Sequence, residues 1–212
     1  FNIQIRQSWT GGDDKLSLLA DLGSVPWLSM ENAPVTDAAL AHVARLTNLD
    51  KLYLGSSQIT GSGLPVLAPL TGLQYLSLKQ LPIDDAKLAR LPTFPHLRYL
   101  GLDGTQITDA GLKELARFPL LQTRWLDQTK ITDAGMVQLK PLTSLRTLFL
   151  PGTATAGPGL EEEFMTRAVR REAVNVHELI DHVYRLARAE APAGIAIERD
   201  YDPSLPALRL DR

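Results

Sequence analysis

Hydrophobic residues return along this chain at fixed intervals. From residue 26, five blocks of 24 residues follow one another without a gap: 26–49, 50–73, 74–97, 98–121 and 122–145. Numbered within each block, positions 3, 5, 10, 15, 18, 21 and 24 are apolar in 34 of 35 instances. A looser block precedes them, with Ile3, Ile5, Leu16, Leu19, Leu22 and Val25, and a decaying one follows at 146–169, with Leu148, Leu150, Leu160 and Val169. Positions 3 and 5 alternate with polar or aromatic neighbours, the period of a half-buried strand. Positions 15 and 18 lie three apart, on one face of a short helix. Thr36, Asp37, Thr60, Thr108, Asp109, Thr132 and Asp133 precede that stretch and are expected to cap helix N-termini. Thr47, Thr71, Pro95, Pro119 and Thr143 turn the chain back toward the next strand. No block can bury its own apolar positions, so stacked neighbours must share one continuous core.

The wording of the repeat, LxLxxTxITDAGLxxL over Leu100 to Leu115, resembles that of leucine-rich repeat proteins. Its ITDAGL variant is similar to the bacterial and ribonuclease-inhibitor-like subtypes. The resemblance spans residues 1–160. It implies an α/β solenoid of about seven strand–helix repeats, with parallel strands on the concave side and helices on the convex side. It also implies binding of another macromolecule more often than catalysis.

If positions 3 and 5 face the core, positions 2 and 4 face outward. Those two columns contain Trp27, Tyr53, Tyr75, Tyr99, Trp125 and Phe149, one aromatic from each of six successive strands. Large aromatics are enriched at binding hot spots, and repeat folds use this surface for partners. The same row also fits a purely structural reading, in which aromatics favour strands and pack across the ladder. Charges beside the row are mixed: Glu31, Lys51, Lys79, Arg98, Asp103, Asp127 and Arg146. Mixed signs favour a protein or peptide partner over a polyphosphate.

Beyond Leu160 the period is lost. All seven lysines lie at or before Lys140, whereas residues 161–212 hold eight arginines and no lysine. Residues 161–171 are charged and read as a linker or a degenerate last repeat. Asn175 and Glu178 resemble a capping box, and Val176, Leu179, Ile180, Val183 and Leu186 make one helical apolar face ended by Pro192. Residues 194–202 alternate like a short strand. The segment is thus expected to be helix plus strand over 172–212, and its helix can lie as a cap across the open end near Leu148 and Leu160.

The wording of 170–212, notably VNVHEL and ERDYDPSLP, resembles a fragment of nitrogen-regulation (NtrB-type) sensor histidine kinases. The family's phosphoacceptor histidine, its Asn-rich helix and its Gly-rich nucleotide loops do not appear in this sequence. Kinase chemistry therefore transfers to no residue here. His177 and His182 are five apart, off the shared face that an i, i+4 metal pair needs, and read as exposed or capping residues.

Composition narrows the function classes. Leucine supplies 38 of 212 residues, roughly twice its usual share, and 33 of these fall within 1–160. A net charge of -2 gives no basic excess for nucleic acid. The absence of cysteine removes disulfides and thiolate sites, and no apolar run approaches a membrane span. Nucleophile elbows, phosphate loops and metalloprotease or EF-hand motifs do not occur. Pairs such as Asp13–Asp14 and Asp84–Asp85 fit turns and helix starts. The expectation is a binding module for a protein or peptide, without cofactor, metal, nucleic acid, nucleotide or membrane. The alternative is a sensor or scaffold part of a two-component histidine kinase. The compartment stays open, with the cytoplasm favoured.

One core column is broken. Arg124 stands where the other four blocks have leucine. Slipping the strand by one would bury Asp127 and expose Leu126, so a register change brings no relief. A local bulge, a snorkelling side chain, a buried partner such as Asp103 or Asp127, and simple tolerance all remain open. An unpaired guanidinium in the core costs several kcal/mol. Arg124→Leu is therefore expected to raise the melting temperature. An unchanged or lower value in a thermal melt would place Arg124 outside the core or show it to be well paired.

Overall fold

The strict spacing of three between positions 15, 18, 21 and 24 governs the side of each repeat opposite the strand. Leu64, Leu67, Leu70 and Leu73 are all fully buried. Their backbones are linked in steps of three, Leu70 N–H to the Leu67 carbonyl at 3.0 Å and Leu73 N–H to the Leu70 carbonyl at 3.1 Å. The same step recurs at Leu46 to Val43, Leu91 to Leu88, Phe118 to Leu115 and Leu142 to Leu139. A spacing of three is the period of a 3₁₀ helix, whose side chains at i and i+3 eclipse. The helices expected from the pattern are accordingly short and largely 3₁₀.

The computed structural model describes residues 2–139, 142, 144–150 and 152–155. For Arg124, Thr147 and Phe149 the description extends to the backbone. These residues lie in one compact unit, Phe1–Thr155. Seven strands, β1 (Asn2–Gln4), β2 (Trp27–Ser29), β3 (Lys51–Tyr53), β4 (Tyr75–Ser77), β5 (Tyr99–Gly101), β6 (Thr123–Trp125) and β7 (Thr147–Phe149), form one sheet in sequence order. Every neighbouring pair is parallel. The connections carry 3₁₀ segments at Asp14–Leu22, Leu64–Leu67, Lys113–Arg117 and Asp133–Leu139. They also carry the α-turns α1 (Ala39–Val43), α2 (Asp85–Ala89) and α3 (Asp109–Leu112). The parallel α/β solenoid expected from the sequence is what forms. The helix and strand expected over 172–212, the capping position of that helix, His177 and His182 lie outside the described residues.

Like sits on like. Leu28, Leu52, Leu76 and Leu100 are consecutive register partners at position 3, all fully buried. Of the apolar residues in the seven core columns of the five blocks, all are buried except Leu145, which is half-buried in the fifth. Arg124 pairs in register with Leu100 and Leu148, so β6 carries no bulge. Each strand then turns through position 7 with left-handed backbone: Asn32, Ser56, Gln80, Gly104, Gln128 and Gly152 have φ between 55° and 71°. A hydroxyl at position 8 closes most of these turns. Ser57, Thr105, Thr129 and Thr153 donate to the position-5 carbonyl at 2.6–2.7 Å.

The ITDAGL motif does something its sequence did not reveal. Asp37 and Asp109 were expected to cap their own helices; both reach the next repeat instead. Thr60 gives Asp37 its N–H at 3.0 Å and its hydroxyl at 2.5 Å. Thr132 gives Asp109 the same pair at 2.8 and 2.6 Å. Asp85 and Thr108 repeat the clasp at 2.8 and 2.6 Å, and Asp13 and Thr36 at 3.0 and 2.5 Å. A carboxylate one repeat away satisfies two donors at once, and charge-assisted bonds of this kind are the strong ones. The threonines also cap as expected, Thr108 accepting from Ala110 N–H at 3.2 Å.

The glycine of the motif makes room for this carboxylate. A Cβ at Gly111 would overlap Asp85 Oδ1, one at Gly135 would overlap Asp109 Oδ1, and one at Gly63 would lie 3.0 Å from Asp37 Cβ. The single joint without an aspartate supports the point. There Gly61 occupies the aspartate position, and the following repeat has Asp84 for threonine and Lys87 for glycine. Asp84 turns to its own helix and accepts from Lys87 N–H at 2.9 Å.

Removing one clasp leaves the threonine donors without their carboxylate. Asp85→Ala is expected to cost about 1–2 kcal/mol, and Gly111→Ala a similar amount through the clash. For a domain of this size that is a fall of roughly 2–8 °C in melting temperature. Thermal melts of the two single variants and the double variant check it. Because both changes break the same contact, the double variant should lose less than the sum.

Candidate functional site

The outward columns of the sheet assemble the aromatic row. Trp27, Tyr75 and Tyr99 occupy position 2, and Tyr53 and Trp125 position 4; all five are half-buried. Neighbouring strands stand about 4.8 Å apart, close to the spacing at which rings pack. The centroids follow suit: Trp27–Tyr53 5.7 Å, Tyr53–Tyr75 4.6 Å, Tyr75–Tyr99 5.8 Å and Tyr99–Trp125 6.4 Å. Trp125 also leans across β5 to Tyr75 at 5.9 Å. The other outward position of β2, β4 and β5 is small, with Ser29, Ser77 and Gly101 buried beside the rings. Five of the six aromatics named from the sequence are thus brought together as one row. The sixth, Phe149, pairs by its backbone with Trp125, while its side chain lies outside the described residues.

Charges border the row on both sides. Where the strands end, position 6 contributes Glu31, Lys79, Asp103 and Asp127. Where they begin, Lys51 and the position-1 residues Arg98 and Arg146 supply positive charge, and Asp50 the opposite sign. Ser77 Oγ bonds to Glu31 Oε1 at 3.5 Å. Glu31 Oε1 and Lys79 Cβ both lie close to the space a side chain at Gly55 would fill.

Two groups at this border have shifted ionisation. Burial pushes the Tyr75 hydroxyl well above the usual phenol range, and Tyr53, Glu31 and Asp103 add to the effect. Tyr75 therefore stays a neutral phenol. Burial also raises the pKa of Asp103 above 3.8, against the opposing pull of hydrogen bonds from Asp127 and its own backbone and of the Lys79 charge. Asp103 Oδ1 is buried and has no hydrogen-bond partner among the described residues. Sequence reasoning named Asp103 as one charge among seven and as a possible partner of Arg124. Its half-buried carboxylate follows from position 6 lying against the rings, which no spacing pattern announces.

What the row and its border offer is aromatic surface beside charges of both signs. Among the described residues no three His, Asp or Glu side chains converge as a metal site, and no helix is long and apolar enough to cross a membrane. His42 lies on α1 and His96 is exposed in a separate connection.

Opposite pH responses separate the border from the clasps. Burial would raise the Asp37 carboxyl, but bonds from the Thr60 hydroxyl, the N–H groups of Gly63 and Thr60, and Ser62 outweigh it and hold the group below 3.8. Asp37 thus adds stability above pH 3.8, lost as the pH falls through its lowered pKa. Asp103 behaves the other way. Its contribution is present below pH 3.8 and is lost as the pH rises through its raised value, leaving a cost at neutrality. At pH 7 Asp37→Asn should therefore lower stability, and Asp103→Asn should leave it equal or higher. Acidification should shrink the first difference. It should also shrink any advantage of Asp103→Asn. Urea denaturation at neutral and acid pH measures both signs.

Comparison with known proteins agrees with this architecture. A family model described as Leucine Rich repeat matches residues 95–116. Among solved structures, an internalin C2 from Listeria monocytogenes is 29% identical with a TM-score of 0.54, covering 66% of this chain and 57% of that one. An internalin (inlF) from the same species is 27% identical with a TM-score of 0.52, covering 66% of this chain and 38% of that one. A separate match of 46 residues, 50% identical, is to the sensory histidine kinase/phosphatase NtrB of Rhizobium leguminosarum bv. phaseoli. It takes in 22% of this chain, which spans 12% of the length of that relative. The array is a leucine-rich-repeat solenoid, and the 170–212 segment resembles a fragment of the NtrB kinase.

Proposed function

We propose that this leucine-rich-repeat array is a non-catalytic module that binds a protein or peptide on the concave face of its sheet. The observation that carries the reading is the unbroken row of Trp27, Tyr53, Tyr75, Tyr99 and Trp125, half-exposed and flanked by charges of both signs. Stacking fixes the rings before any partner arrives, so little side-chain entropy is lost on docking. Rigid aromatics bordered by charge have the make-up of an interface core and rim. Phe149 would extend the row by one strand. The likeness to internalins, members of a fold that generally serves protein interaction, supports the same class of function. The NtrB match favours a second reading, in which the array is a sensor or scaffold part of a histidine kinase; binding on the sheet is compatible with it.

A pull-down with wild-type protein and with Tyr75→Ala combined with Tyr99→Ala tests the site. The double variant should lose partner capture. Lost stacking should cost about 0.5–1.5 kcal/mol per ring pair, leaving the fold intact by circular dichroism at the assay temperature. Undiminished capture by the folded variant would remove the sheet face as the site. Loss of the fold would make the rings structural.

A further inference from the structure

We infer that the occupant of this face is a partner segment carrying an arginine or lysine side chain, seated over Tyr53, Tyr75 and Trp125 with its cation toward Glu31 and Asp103. The inference deepens the concave-face reading and rests on it. Three features converge. Tyr75 is the hub of the row, in ring contact with Tyr53, Tyr99 and Trp125, and aromatic faces attract cations. Two carboxylates flank the strand of that hub: Ser77, two residues beyond Tyr75, bonds to Glu31 Oε1 at 3.5 Å, and a Cβ at the neighbouring Gly101 would lie 3.5 Å from Ser77 Oγ and 3.8 Å from Asp103 Oδ2. Asp103 is half-buried with its Oδ1 enclosed and unpartnered among the described residues, so its carboxylate charge is left to be balanced by a cation alongside.

The charges around this point fix the sign. Position 6 supplies Glu31, Asp103 and Asp127 against a single Lys79, which is exposed and makes no ion pair within 4.0 Å among the described residues. The opposite edge carries Lys51, Arg98 and Arg146. A uniformly basic chain would be repelled there, so the partner presents an isolated cation on the side where the strands end. Guanidinium suits the site better than ammonium, because it stacks on rings while donating in its own plane.

Nitrogen-15 NMR of the whole chain provides the test, since its three tryptophans report separately. Trp27 and Trp125 belong to the row, whereas Trp9 bonds to the Gly12 carbonyl outside it. Three alanine-based hexapeptides are titrated, carrying a central arginine, glutamate or leucine. The arginine peptide should shift the Trp125 indole signal in a saturable manner and leave Trp9 unmoved. Asp103→Asn combined with Glu31→Gln should weaken its binding about threefold or more, while Lys79→Met should strengthen it. No saturable shift with arginine, equal or tighter binding of the glutamate peptide, or variants without these signs would overturn the cation site. If only the leucine peptide binds, and Tyr75→Ala with Tyr99→Ala abolishes that binding, the concave-face reading survives and the cation is wrong. If the arginine peptide fails and pull-down capture also ignores the tyrosine changes, both fall.

Discussion

A 24-residue unit with one three-residue strand and a few helical turns cannot enclose its own side chains, so the core of this array closes only where repeats stack. The structure depends on that constraint. Leu52 gains burial from Leu28 and Leu76, its register partners on either side. The pleat leaves only two outward positions per strand, so the same register that stacks leucine on leucine also stacks aromatic beside aromatic. Fold and candidate site are therefore two faces of one translation, and a change in repeat length would dissolve both.

The polar clasp acts on this translation in a different way from the apolar columns. Leucine columns reward closeness without direction, whereas Asp85 and Thr108 meet through two directed bonds at 2.8 and 2.6 Å. Directed bonds fix how far one repeat rotates on the next. The glycine two residues beyond the aspartate accommodates the preceding repeat's carboxylate; Ala39 stands in its place at the Asp13–Thr36 joint, and at the other described joints aspartate, threonine and glycine change together. They do so at Gly61, Asp84 and Lys87, where Asp84 serves only its own helix. Arg117 adds a related link at the next joint, donating to the carbonyls of Ala89 and Leu91 in the preceding repeat.

Much of this was legible in the chain itself. Strand direction, register and nearly every buried residue follow from seven apolar columns, because burial is what the pattern records. The 3₁₀ geometry was also written there, in the step of three from Leu64 to Leu73, although a generic helix was the natural first reading. The clasp was not legible. Asp109 before a helix looks like any capping aspartate, and only the neighbouring repeat's position shows where its oxygens go. The left-handed turn at position 7 was hidden as well, since Ser56, Gln80 and Gln128 occupy it as readily as Gly104. Arg124 shows the limit of pattern in the other direction. Its backbone stays in register with Leu100 and Leu148, so the strand passes through the break in the pattern without a bulge.

The aromatic row was found by elimination, as what the outward columns contain, and its structural and binding readings are not rivals. Ring-to-ring contacts of 4.6–6.4 Å satisfy one edge of each side chain. The exposed remainder is what a partner can use, and it comes already fixed. A row held only by its partner would pay ordering entropy on binding; a row held only for stability would have no reason to concentrate carboxylates at one border. Asp103 is the residue that separates these cases. Burial raises its pKa, so it detracts from stability at neutral pH, and its Oδ1 is enclosed without a hydrogen-bond partner among the described residues. A charged group that costs the fold something breaks a local rule, as residues at functional sites do, and this is what the proposed site asks of Asp103.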